Sequence, residues 1–158
     1  MSNSELVLVK IKNVEVNRSV EETLWAKPLG QDLFEIRSLP KFSENINVHD
    51  VVRAIASESD NHPLVQETVS RSGHKTIRFL FLRARRLNEE DILRRLKALG
   101  VTVEEVGRGL WAADVDNREN HQKTCDYLSS LKAEGFIEWE LDVGLRGLMQ
   151  AWGYGGDS

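Results

Sequence analysis

Hydrophobic and polar residues alternate through much of the first 75 positions, a pattern typical of half-buried β-strands. The tetrapeptide Leu29-Gly30-Gln31-Asp32 separates two such segments and predicts a hairpin turn between them. The predicted strands cover residues 6–16, 22–28, 33–38, 48–55 and 64–70, the fourth with an optional helical turn at its start. Five short strands separated by turn residues predict a small, strongly bent sheet or a barrel-like sheet.

Periodicity changes in the second half of the chain, where strand-like segments alternate with helical ones. Asn88 is positioned to cap a helix in which Ile92, Leu96 and Leu99 recur at helical spacing. A second helix is predicted over residues 117–134. Strands are predicted at 76–82, 101–106, 110–116 and 136–143. The resulting order, β-α-β-β-α-β, is that of a ferredoxin-like unit.

These patterns together predict an α+β protein with a β-rich first half and a ferredoxin-like second half. The predicted boundaries are 1–75 for the β-rich subdomain and 76–144 for the ferredoxin-like subdomain. In the remaining segment, residues 145–158, Leu145, Leu148 and Trp152 share a helical face, which predicts a docking helix followed by a flexible tail.

Composition places the chain among ordinary globular proteins. It has 158 residues, of which 41% are hydrophobic and 29% charged, with a net charge of −4 and a pI of about 5.6. A single cysteine, Cys125, excludes an internal disulfide, and the first residues lack the pattern of a signal peptide. We therefore expect a cytoplasmic protein with no membrane span, and the acidic balance disfavours nucleic acid as a partner.

The turn Arg71-Ser72-Gly73-His74 leads directly into an apolar strand and marks the predicted junction of the two halves. A structural role predicts that Gly73 has a positive φ and that Ser72 bonds local backbone. A ligand pocket at the junction is the alternative, with candidate residues Trp25, Asp50, Arg71, His74 and Arg78. Within it, His74 oriented by Asp50 is a weak candidate for a catalytic base. The structural role is preferred.

Three groups of residues carry a wider likeness. They are Leu24-Trp25-Ala26-Lys27-Pro28-Leu29-Gly30, His49-Asp50-Val51-Val52-Arg53-Ala54 and Arg71-Ser72-Gly73-His74-Lys75-Thr76, with Leu39-Pro40 between the first two. In these motifs, and over most of its length, the chain resembles a family of small bacterial proteins of unknown function. The resemblance implies a bacterial cytosolic protein in which the Gly73-His74 turn is important, and it implies no reaction.

No motif indicates a metal or a cofactor. The four histidines lack metal-ligand spacing, and His121 and Cys125, four residues apart on a predicted helix, supply only half of a zinc site. The same two positions fall on the apolar stripe of that helix, which favours a core role. Phosphate-binding and dinucleotide-binding glycine motifs are absent from the sequence.

One face of the predicted second sheet is acidic and has an apolar strip formed by Leu80, Leu82, Leu110 and Ala112. Its carboxylates are Glu104, Asp114, Asp116, Glu138, Glu140 and Asp142. This face suits the first half of the same chain or a basic partner protein, whereas an RNA-reading sheet would carry aromatic and basic residues. The preferred prediction is a non-enzymatic protein-binding module, of the kind that acts as an immunity or antitoxin-type inhibitor of a basic toxin domain; its oligomeric state is not predicted.

Two alternatives stay open at this point. The first is a small-ligand-binding or hydrolytic enzyme with the junction pocket around His74. The second is a weak nucleic-acid-associated module that uses the basic residues between positions 83 and 97. These are Arg83, Arg85, Arg86, Arg94, Arg95 and Lys97.

Overall fold

The computed structural model describes residues 5–15, 18–59, 61–82, 89–107, 109–116 and 120–139. Strands dominate the described residues, and two helices accompany them. The chain divides into two compact units, Met1–His74 and Lys75–Ser158. The mixed α+β class predicted from the sequence is therefore confirmed.

The first unit contains a five-stranded closed barrel. Its strands are β1 (Val7–Glu15), β2 (Arg18–Gly30), β3 (Leu33–Ile36), β4 (Val51–Ile55) and β5 (Leu64–Ser70). Each strand pairs antiparallel with the next, and β5 closes on β1 in parallel at a single described pair, Lys10 with Leu64. Alternate residues point inward and form the barrel core, namely Val9, Ile11, Leu24, Ala26, Ile36, Val52 and Ala54, with Ile46 from a loop.

The hairpin between β2 and β3 lies where the sequence predicts it. Gly30 pairs with Leu33, which leaves Gln31 and Asp32 as a two-residue loop. Both loop residues have positive φ, 58° and 64°, as a two-residue turn that follows the right-handed twist of the strands requires. A β-bulge between Pro28 and Gly30 shifts the register next to the turn, and further along the strands Ala26 pairs with Ile36, both of them buried in the barrel.

The second unit places two helices among four strands. Its elements are β6 (His74–Phe81), α1 (Glu89–Ala98), β7 (Thr102–Gly107), β8 (Leu110–Asp116), α2 (His121–Ala133) and β9 (Ile137–Trp139). The strand order in the sheet is β7-β8-β6-β9, and β9 runs antiparallel to β6. The core joins the sheet to both helices and includes Phe79, Leu96, Val115, Leu128 and Ile137.

Several element starts differ from the predicted ones. β2 begins at Arg18, whereas the pattern predicted a start at 22. β4 begins at Val51, whereas the pattern predicted a segment from 48, because His49 has φ 70° and Asp50 closes a turn with Asn47. The second helix begins at His121, with Asn120 as its N-cap residue. The predicted end of the last strand and the predicted docking helix over 145–152 lie outside the described residues.

Neither α1 nor α2, the helices of the described part of the chain, is long and apolar enough to cross a membrane.

Candidate functional site

Asp50 is completely buried at the start of β4 and joins two loops of the first unit. Its Oδ2 accepts a hydrogen bond from the Asn47 N–H at 2.9 Å, and its Oδ1 accepts one from the Ser72 N–H at 2.8 Å. The Arg71 guanidinium lies 3.7 Å from Oδ2 and also donates to the Asn45 carbonyl at 2.6 Å. Because a buried carboxylate is stable only when it is paired and hydrogen-bonded, this arrangement ties the 71–74 turn to the 45–50 loop.

The hydroxyl of Ser72 is engaged in the same turn. Its Oγ donates to the Val48 carbonyl at 2.7 Å and accepts a hydrogen bond from the His74 N–H at 3.1 Å. Gly73 has φ 93°, as the structural interpretation of the turn predicts. A serine whose proton is held by a backbone carbonyl is poorly placed to act as a nucleophile.

A second group of side chains in this unit connects Arg37, Glu35, His49 and His74. Glu35 Oε1 accepts from Nε and from Nη2 of Arg37 at 3.3 and 3.2 Å, and Oε2 lies 3.2 Å from His49 Nδ1. The His49 and His74 rings stand edge to face with centroids 5.0 Å apart. The sequence analysis selected only His74 from this group, because no local pattern reveals that β3 and the 45–50 loop meet.

The predicted junction residues thus occupy several environments. Asp50, Arg71 and His74 belong to the same turn network, and Trp25 lies on β2 of the same unit. Arg78 belongs to the second unit, where it is buried with 2% of its surface exposed. The pocket predicted to combine all five residues stays a prediction.

Trp25 stands out as a large apolar side chain with half of its surface exposed. Its neighbours Leu24 and Ala26 point into the barrel, so Trp25 and Lys27 point outward. Three hydrogen bonds hold its backbone: its N–H donates to Ser38 Oγ at 2.9 Å, and its carbonyl accepts from the N–H groups of Arg37 and Ser38 at 2.8 and 3.3 Å. The exposed indole therefore stands on a well-held section of backbone.

Outward side chains of three strands surround this tryptophan. Leu8 lies opposite Trp25 on β1. On the other side of Trp25, the Arg37 N–H donates a hydrogen bond to the Trp25 carbonyl and so holds Arg37 close by. Lys27 lies opposite Glu35 in the register of β2 and β3, and Leu6 is 40% exposed. We call this surface the Trp25 face, defined by Leu6, Leu8, Trp25, Lys27, Glu35 and Arg37.

Glu22 is an acceptor that the sequence analysis missed. Its Oε2 accepts from the Lys41 N–H at 2.7 Å, and its Oε1 accepts from the N–H groups of Phe42 and Ser43 at 3.2 and 3.0 Å. Oε1 also accepts from the Ser43 hydroxyl at 2.6 Å. Glu22 lies on the same side of β2 as the inward residues Leu24 and Ala26. A carboxylate on this inward side needs hydrogen-bond donors, and that was the signal in the sequence.

The predicted acidic contacts have different exposures. Glu104 and Asp116 are exposed, Asp114 is half-buried, and Glu138 lies 3.5 Å from Lys132. Glu140 and Asp142 lie outside the described residues. The middle of the same sheet face consists of buried residues, namely Arg78, Leu80 and Leu110, so the exposed carboxylates lie at its edges.

The basic residues of α1 are partly engaged with neighbours on the helix surface. Arg94 donates to Asp91 at 2.8 Å, and the Arg95 guanidinium lies 5.6 Å from the centre of the Tyr127 ring. Arg83, Arg85 and Arg86 lie outside the described residues. The predicted nucleic-acid patch stays a prediction.

His121 and Cys125 do contact each other on α2, with Sγ 3.6 Å from Nε2. Burial raises the pKa of the Cys125 thiol, and the nearby Asp126 carboxylate raises it further. Over the part of the chain that the structure describes, no three His, Cys, Asp or Glu side chains are placed to hold a metal ion.

The chain is similar to a solved structure and to a known protein family. A solved structure described as the "Novel crystal structure of a hypothetical protein from Neisseria gonorrhoeae" matches with a TM-score of 0.73 and 14% identity. The match covers 88% of this chain and 95% of that one, and at this identity it shows a shared fold alone. No curated protein matches the sequence. The family model "Domain of unknown function (DUF4265)" matches residues 22–139, which confirms the predicted resemblance to a family of unknown function: the chain belongs to the DUF4265 family.

Proposed function

We propose that this chain is a non-enzymatic protein-binding module and that the Trp25 face of the barrel is its contact surface. The observation that carries the proposal is the half-exposed Trp25 on a backbone held by three hydrogen bonds. Tryptophan and arginine are enriched among the residues that dominate binding energy at protein interfaces. A side chain on a rigid strand also loses little conformational freedom when a partner binds.

The neighbours of Trp25 support the same proposal. Leu6 and Leu8 add apolar area on one side, while Lys27 and Arg37 supply a polar border on the other. An apolar centre with a polar rim is the usual arrangement of a protein interface.

Capture of partner proteins from lysate of the source organism tests the proposal. The wild-type chain, Trp25→Ser and Val69→Ser are used as baits, since Val69 is also about half exposed but lies on β5. A protein retained by the wild type and by Val69→Ser, lost with Trp25→Ser and then bound again when purified, is the expected result. Equal retention by all three baits contradicts the proposal.

A basic toxin domain that the chain neutralises stays a separate proposal, in which the partner contacts carboxylates of the second unit and not the Trp25 face. The exposed carboxylates of Glu104 and Asp116 support it, because complementary charge accelerates association and selects partners. The double variant Glu104→Gln, Asp116→Asn should slow association with such a domain. A toxin that remains active in the presence of the wild-type chain contradicts this part of the proposal.

A second candidate function is acid–base chemistry on a small ligand. The contact between Glu35 and His49 favours it, since a carboxylate that holds Nδ1 fixes the orientation of the imidazole. The backbone of His49, at φ 70°, is of the kind found at functional sites. An activity found with the wild type should be lost in His49→Gln and kept in His62→Gln.

The proposal also includes a finer fold assignment for the second unit. The element order β6-α1-β7-β8-α2-β9 and the strand order β7-β8-β6-β9 support a ferredoxin-like unit. An experimental structure in which β6 and β8 pair in parallel would agree with this fold assignment.

A further inference from the structure

We propose that the partner segment seated on the Trp25 face is an acidic, apolar stretch of protein chain. This inference rests on the proposed function and adds the chemistry of the partner. It follows from counting which hydrogen-bonding groups of the face remain available to a partner.

The acceptors of the face are already engaged. Glu35 is its one carboxylate, and both of its oxygens have partners within the protein, Arg37 on Oε1 and His49 on Oε2. Oε1 takes part in two of these contacts and Oε2 in one, so little acceptor capacity of Glu35 is left for a basic partner side chain.

Donors, in contrast, remain available beside Trp25. Arg37 directs Nε and Nη2 to Glu35, which leaves Nη1 and its two N–H groups for another acceptor. Lys27 forms no ion pair with any residue that the structure describes, and it is the cross-strand neighbour of Glu35. The face thus presents two cations against one internally paired carboxylate.

Apolar area lies beside these donors. Trp25 is 50% and Leu6 is 40% exposed, and Leu8 is the partner of Trp25 on β1. A complementary segment must therefore bring a large apolar side chain for Trp25 and carboxylates for Lys27 and Arg37. Nucleic acid would also supply anions, but one exposed aromatic ring gives a single stacking position, where strand-binding proteins use several.

The barrel itself provides a matched control. Arg53 on β4 bonds Glu67 on β5 at 2.9 Å, so it repeats the outward arginine–glutamate pair of Arg37 and Glu35 outside the Trp25 face. Arg53→Gln therefore removes the same charge and the same kind of contact without touching the proposed surface.

The experiment is a selection of random displayed peptides of about 12 residues, long enough to cross three strands, on the purified full chain. The expected binders carry Asp or Glu beside a large apolar residue. Their affinity should fall by about 30-fold in Trp25→Ser and about tenfold in the double variant Lys27→Gln, Arg37→Gln, and it should be unchanged in Arg53→Gln. Thermal unfolding of each variant checks that it is folded.

The outcomes separate the two claims. Binders that need Trp25 but are indifferent to Lys27→Gln, Arg37→Gln leave the proposed function standing and overturn the acidic partner. Enriched peptides without acids, or no enrichment, also overturn it. A single-stranded oligothymidylate that displaces the peptides with higher affinity than theirs overturns it in favour of nucleic acid.

Discussion

The Asp50 carboxylate is completely buried, yet the Arg71 guanidinium that lies 3.7 Å from it is mostly exposed to solvent. The pair joins the interior of the barrel unit to its surface at the turn where β5 ends. Because Asp50 also accepts the N–H groups of Asn47 and Ser72, the carboxylate joins its own loop to a turn residue that lies 22 positions further along the chain. Asp50 is therefore primarily a structural residue of the first unit.

Replacing Asp50 by Ala should lower the free energy of unfolding by about 2 to 4 kcal/mol, because two part-buried N–H groups lose their acceptor. Urea unfolding followed by circular dichroism measures the change. Glu67→Ala, which removes an exposed partner of Arg53, serves as the control and should cost less than about 1 kcal/mol. Equal losses in the two variants would contradict the assignment.

Glu22 should contribute to stability through the loop that it binds. Glu22→Ala removes the acceptor of three N–H groups and of the Ser43 hydroxyl, so we expect a loss of about 2 to 3 kcal/mol in unfolding free energy. The control is Glu21→Ala, because Glu21 immediately precedes Glu22 and its side chain is exposed. Faster amide exchange at residues 41–43 should accompany the loss, and unchanged exchange there would count against it.

Backbone strain at Gly73 can be tested separately from packing. A Cβ at this position meets nothing within 4 Å, so Gly73→Ala should cost about 1 to 2 kcal/mol through φ 93° alone. Gly73→Asn should cost less, because asparagine tolerates positive φ better than alanine. Thermal unfolding of both variants decides the point, and an alanine variant as stable as the wild type would show that the turn adapts.

Cys125 should react slowly with alkylating reagents in the folded protein. Its pKa is raised by burial and by Asp126, so at a given pH less thiolate is present than in the unfolded chain. As pH rises past the ordinary thiol pKa, the unfolded state loses its proton first, so the contribution of this group to stability falls. Asp126→Asn should lower the pKa and speed iodoacetamide labelling at mildly alkaline pH, and an unchanged rate would exclude the carboxylate as a cause.

Much of the fold was predictable because its strands, turns and helices depend on residues that are close together in the sequence. Alternation predicted β5 and β8 at their observed bounds, and the turn residues Leu29–Asp32 predicted the first hairpin. The core stripe of the first helix also follows from spacing, with Ile92 and Leu96 buried. These features depend on neighbours within a few residues, which is the range that periodicity can detect.

The site was harder to predict because its contacts join distant segments. Glu35 and His49 are 14 residues apart, and Glu22 and the 41–43 loop are about 20 apart, with no shared local pattern. The exposure of Trp25 was equally hidden, since a tryptophan in an alternating strand is compatible with either face until the register is known. Two features within the turn were predicted correctly, the positive φ of Gly73 and a local backbone bond of Ser72, which its Oγ makes with the His74 N–H. The bonds of Ser72 to Val48 and Asp50 are long-range and were not predicted.

Photo-crosslinking in cells of the source organism tests directly whether the Trp25 face binds a partner protein. Benzoylphenylalanine replaces Trp25 in one variant and the similarly exposed Val69 in another. We expect a discrete crosslinked product from position 25 that contains one partner protein and is absent from position 69. The same products from both positions, or none from position 25 while the variant is folded and expressed, would contradict a protein-binding role for the Trp25 face.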